Sequence, residues 1–139
     1  MKKLLIFVLS IATAVSLFAH APLISIDDNN DGTIYIEGGF SNGDSAEGIE
    51  CIVVKNVPYN GPEDTFKGKM IIFKGAFGAD NSLTIPKPVT EKYEVYFNGG
   101  EGHVIGKKGP MLTENEKQSW EEKSKQFDYG DWKEFMTEK

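Results

Sequence analysis

The chain has no arginine, one cysteine (Cys51) and only two histidines (His20 and His103) among its 139 residues. Each scarcity excludes something. All 15 basic residues are lysines set against 21 acidic ones, for a net charge of −6. Such a surface argues against nucleic acid and against anionic membrane faces as partners. A lone cysteine forbids an intrachain disulfide, and Cys51 shares a strand face with Ile49 and Val53, which predicts a buried structural thiol. Two histidines without an identifiable nucleophile leave no Ser-His-Asp arrangement, phosphate loop or paired acid/base carboxylates, so the chain reads as a non-enzyme.

Long apolar runs are equally scarce. The one present, Leu4 to Phe18, comes after Lys2 and Lys3 and precedes Ala19-His20-Ala21. A charged start, an apolar stretch and small residues make up a secretory signal. The run is shorter than the roughly 18 residues expected of a spanning helix, so an uncleaved anchor is the alternative with less support. Cleavage after Ala21 would leave Pro22 first, and proline fits poorly in the extended strand a peptidase grips. Cleavage after Ala19 is therefore expected, with residues 1–19 the signal and His20 the mature N-terminus. The product is a periplasmic or secreted protein of about 120 residues with no transmembrane helix. Loss of Lys2 and Lys3 takes its charge to −8.

Past the signal, the chain is a succession of short strand patterns: 23–26, 33–40, 49–55, 69–73, 82–85, 93–97 and 104–105. Polar and glycine-rich turns separate them, with 58–68 read as loop. Seven such strands over residues 20–110 predict an all-β, antiparallel sandwich of immunoglobulin-like or transthyretin-like type. After Pro110 the composition changes, and residues 111–139 read as an appended C-terminal helical extension. Thr113-Glu114-Asn115-Glu116 is a capping box opening a helix to about Phe127, with Glu116 expected to reach back to Thr113. Trp120, Phe127 and Trp132 either pin this helix to the sandwich or form a partner-binding tail.

Asp27, Asn29, Asp31, Gly32 and Ile34 match the opening of an EF-hand loop. Gly38 stands where that loop needs a bidentate glutamate, so a polar β-turn is expected in preference to a calcium site.

Residues 39–48 (Gly-Phe-Ser-Asn-Gly-Asp-Ser-Ala-Glu-Gly) resemble the opening of carboxypeptidase-regulatory-like domains, and Asp80-Asn81-Ser82-Leu83-Thr84-Ile85-Pro86 resembles their second signature. The segment from Tyr93 to Phe97, continued by Gly99-Gly100-Glu101-Gly102-His103, is similar to a strand and Gly-His turn in periplasmic accessory proteins of nickel and cobalt uptake. The resemblance implies a metal-linked role beginning at a mature N-terminal histidine, with an envelope or transporter protein as partner. The membrane helix such accessory proteins carry after this domain has no counterpart in this sequence.

Strand parity leads to the same two histidines. If the first six strands alternate in direction, the 98–103 turn returns to the pole where His20 begins. The 41–48 turn with Asp44 and Glu47 would lie there too, and the 27–32 turn at the opposite pole. An N-terminal histidine offers its α-amine and its imidazole. With His103 these make three nitrogens, a set suited to tetragonal Cu(II) or Ni(II), and Glu101, Asp44 or Glu47 could add an oxygen. The expected function is thus binding or passing a transition metal ion. The alternative is a structural or interaction module of the cell envelope, working through a sandwich edge or the aromatic C-terminal helix.

Overall fold

The computed structural model describes residues 20–90 and 92–124, the last five of these by backbone alone. Eight strands succeed one another: β1 (Pro22–Asp28), β2 (Thr33–Phe40), β3 (Glu50–Lys55), β4 (Thr65–Phe66), β5 (Lys69–Ala76), β6 (Ser82–Pro86), β7 (Tyr93–Asn98) and β8 (Val104–Lys108). One helix, α1 (Glu114–Ser124), ends the described chain. The strands form two antiparallel sheets, of order β1-β2-β6 and β4-β5-β3-β7-β8.

The period of two in the sequence places the core. Ile34 and Ile36 of β2 and Ile85 of β6 face Cys51 and Val53 of β3 and Tyr93, Val95 and Phe97 of β7, all at most 2% exposed. The intersheet layer is closed by Phe77, whose ring lies 5.5 Å from that of Phe97. Gly38 makes room for this pair: a Cβ there would stand 2.8 Å from Phe97 Cδ2 and 2.9 Å from Phe77 Cζ.

The outer face of the larger sheet carries a smaller apolar cluster at its centre. Ile52, Val54 and Tyr96 are buried there under Phe66, Ile71 and Val104. This explains why residues 51–54 form an unbroken apolar run instead of alternating. Phe66 reaches that face because β4, inside the stretch read as loop, is a two-residue strand paired with β5. Its turn uses Lys67 and Gly68, both at positive φ (51° and 74°), as a two-residue hairpin loop requires.

Among the described side chains, the helix is held by a buried charge cluster centred on Lys87. Among its described side chains Glu116 alone is buried, while Leu112 is buried just before it. Lys87, fully buried after β6, places its ammonium 2.8 Å from Asp28 Oδ2, 2.9 Å from Glu116 Oε1 and 3.4 Å from the Met111 carbonyl. All three ammonium donors are thereby used. Glu116 Oε2 lies 2.8 Å from the same nitrogen as an ion-pair neighbour, yet has no directed hydrogen bond. Burial alone would lower the lysine pKa, but the hydrogen bonds and charges of Asp28 and Glu116 outweigh it and hold the pKa above the ordinary value. The capping box is consequently half formed. Thr113 Oγ1 accepts the Glu116 N–H at 3.2 Å, but the Glu116 carboxylate turns away to Lys87 instead of returning to Thr113. A buried ammonium offers that carboxylate more than an exposed backbone N–H does.

Candidate functional site

The two poles are built from different chemistry. At the lower pole, the 27–32 turn spends its polar groups on itself and on Lys87. Asn30 donates its N–H to Asp28 Oδ1 at 2.8 Å, and Thr33 donates its N–H and hydroxyl to Asp31 Oδ1 at 2.9 and 2.5 Å. Asn29 Nδ2 donates to Thr33 Oγ1 at 3.0 Å. This is the bonding of Asx-type turns centred on Asp28 and Asp31, within the stretch expected to be a polar β-turn.

The upper pole collects the start of β1 and the turns at 41–49, 77–81 and 99–103. Backbone bonds tie these turns to one another and to the sheet edges: Gly48 N–H to Phe77 O at 2.9 Å, Gly38 N–H to Asn81 O at 2.9 Å, and Gly99 N–H to His103 O at 2.9 Å. Asn81 Oδ1 accepts from Ser45 Oγ and Ala46 N–H at 2.9 and 2.7 Å, joining two of the turns directly. Ser82 bonds to Asp80 through its hydroxyl (2.7 Å) and N–H (3.2 Å), holding that carboxyl below its usual pKa. Parity over the seven expected strands reaches this arrangement because β4, which runs in the same direction as β3, is not among them, and every other step along the chain reverses direction.

One residue past the β1–β2 ladder, the chain is clasped to the 41–44 turn. Ser41 donates its N–H to the Ala21 carbonyl at 2.8 Å, and its hydroxyl accepts the Ala21 N–H at 2.9 Å. The next residue outward is His20. Its Nδ1 lies 2.5 Å from Asn42 Nδ2 and 3.7 Å from Asp44 Oδ2, and both side chains of the His20–Asp44 pair are more than half exposed.

His103 reaches the same pole by a different route. Gly100 and Gly102, at φ +96° and +79°, fold the 99–103 turn tightly enough for His103 N–H to bond Gly100 O at 2.9 Å. The imidazole packs edge-on against Phe40 (centroids 5.9 Å apart), with Phe40 in turn edge-on to Phe97. Its Nδ1 is 3.2 Å from the Glu101 carbonyl. A carbonyl only accepts, so Nδ1 carries a proton, and in the neutral ring Nε2 is the atom with the lone pair.

Of the expected site residues, the structure brings His20 and Asp44 into direct proximity. His103 stands on the same pole, next to Phe40, whose backbone pairs with Pro22. Glu47 and Glu101 are exposed in the 41–49 and 99–103 turns, and among the described residues no ion pair joins either to a histidine. No group of three or more His, Cys, Asp or Glu side chains among the described residues is arranged to hold a metal. Trp120 lies in α1 with its side chain outside the described set, and Phe127, Trp132 and the 1–19 segment lie outside the described residues altogether. Sequence reasoning missed Asn42 and Ser41, which carry no charge and look like ordinary turn residues; the signal was the turn's position one step beyond the strand that pairs with the N-terminal segment. No described helix is long and apolar enough to cross a membrane. Comparison with protein-family models, curated proteins and solved structures finds no match to this chain.

Proposed function

We propose that the mature chain, beginning at His20, is an exported, non-catalytic protein that binds and hands on a Cu(II) or Ni(II) ion. Its sandwich is taken as immunoglobulin-like: β1-β2-β6 facing β5-β3-β7-β8 matches the A-B-E and C′-C-F-G order of that fold. The observation that carries the functional reading is the 3.7 Å separation of His20 Nδ1 from Asp44 Oδ2 at the pole that also holds His103. Metal–nitrogen and metal–oxygen bonds of about 2 Å put adjacent ligand atoms about 3 Å apart, within reach of two exposed side chains. The third donor in this reading is the α-amine of His20, which is an amide until the signal is removed. Among the described residues the side chains of His20, Asp44 and His103 do not already form a three-ligand group, so this reading has His103 drawn in when the ion binds. Nδ1–H bonded to a backbone carbonyl, as at His103, is the usual support for an imidazole that ligates through Nε2.

The test is competitive titration of the chain starting at His20 with Cu(II) and Ni(II). Wild type should bind one ion, and His20→Ala and His103→Ala should each weaken it at least tenfold. Equal affinity in all three chains would sink the proposal. Mass spectrometry of the exported protein adds an independent check, since a terminus at Pro22 or beyond removes His20 altogether.

A further inference from the structure

The 41–44 turn does more than sit beside His20. Its side-chain amide is oriented by two bonds of its own: Asn42 Oδ1 accepts the Asp44 N–H at 3.0 Å, and Asn42 Nδ2 donates to Asp44 Oδ2 at 2.9 Å. These fix which end of the amide faces His20. The end that faces it is the donor, 2.5 Å from Nδ1. A neutral imidazole meeting an N–H donor there must present its Nδ1 lone pair and carry its proton on Nε2.

That lone pair is the one metal binding needs. When an N-terminal histidine chelates through its α-amine, Nδ1 closes a six-membered ring including the metal, whereas Nε2 points away from it. One lone pair cannot serve the amide and the metal together. From this geometry we infer that Asn42 is a gating residue: it caps His20 Nδ1 in the free protein, and the ion must displace it to enter. The inference rests on the metal-binding reading above and adds the regulation of that site. An interaction present only in the free state weakens binding and favours release, which suits a protein that passes its ion on. Asp44, held by the same amide, stands beside the displaced position to receive the cation.

The experiment uses the chain beginning at His20 and Asn42→Ser. Serine keeps an acceptor for the Asp44 N–H, as in turns of the ST type, but is too short to cap His20. Losing one hydrogen bond from the free state should tighten Cu(II) binding about 2- to 10-fold and slow its release to a chelator correspondingly. In the metal-free chain the 15N resonance of His20 Nδ1 should shift on substitution, a readout independent of metal. Unchanged or weaker Cu(II) binding by Asn42→Ser, or an Nδ1 resonance that does not move, overturns the gate while leaving the metal site standing. Absence of binding in both chains removes the metal reading and the gate with it.

Discussion

Replacing Lys87 by methionine removes the ammonium from a site with no exposed lysine surface, leaving Glu116 and Asp28 facing one another across an apolar stem. Deleting one partner of a buried ion pair costs about 3–5 kcal/mol, because the remaining charge stays buried without compensation. Here Asp28, with a third of its side chain exposed, can turn to water, whereas Glu116, 8% exposed, cannot. The lower end of that range, about 3 kcal/mol, is therefore expected. In urea, with m near 1–3 kcal/mol/M for a domain of this size, the midpoint should fall by about 1–3 M at unchanged m. The double variant Lys87→Met/Glu116→Leu should recover most of the loss, since well-packed apolar groups commonly replace a buried pair at little cost. The alkaline limb supplies a second check. Because the folded pKa of Lys87 lies above its unfolded value, its contribution is complete below about pH 10.5 and fades as pH rises through the folded pKa. Lys87→Met should lack that share of the alkaline loss. A single variant within 1 kcal/mol of wild type, or a double variant no better than the single, would refute the account of how α1 is held.

Other outcomes rest on the same packing. Gly38→Ala would press a methyl group against Phe97 and Phe77 and should cost about 1–3 kcal/mol by denaturant titration; a neutral result would mean the two rings move aside freely. Glu94 accepts hydrogen bonds from the Tyr96 hydroxyl and from Lys69 Nζ (3.2 Å), and these hold its carboxyl below the ordinary pKa. Its contribution is therefore present above the unfolded glutamate pKa of about 4.5 and is lost as pH falls through the folded value. Unfolding midpoints measured from pH 6 to 3 should fall less steeply for Glu94→Gln than for wild type. Burial pushes the Cys51 thiol up to about 12, so it should resist an aromatic disulfide reagent at pH 8 in the folded protein and react once unfolded; rapid native labelling would contradict its place in the core.

How much of the molecule is legible in its residue order depends on the range of the interaction concerned. Alternation in Tyr93, Val95 and Phe97 and in Ile34 and Ile36 reflects the pleat, a local property, so strand positions and the inward face can be read directly. Strand direction alternates along the chain except from β3 to β4, which run the same way, so parity reaches the shared pole of His20 and His103 only because the short β4 is not among the strands legible in the sequence. The Asx-type turns at 27–32 were legible because their partners are within a few residues. The sandwich pairing itself, β1-β2-β6 against the five-stranded sheet, needed the tertiary structure because strands neighbouring in sequence are split between layers. The 65–66 strand was missed because its two residues acquire strand character only by lying against β5 and covering Tyr96.

Side-chain destinations were decided at still longer range. By local rules Glu116 belongs to a capping box, but Lys87, 29 residues away in the chain, takes its carboxylate. Asn42 reads as a turn residue until the β1–β2 register brings His20 to it across 22 residues. Composition and periodicity by themselves determined a mainly β chain with one buried thiol. Only the tertiary structure decided which polar groups the histidines and charged residues meet, because a charge or lone pair is committed by the nearest partner in space, whatever its place in the chain.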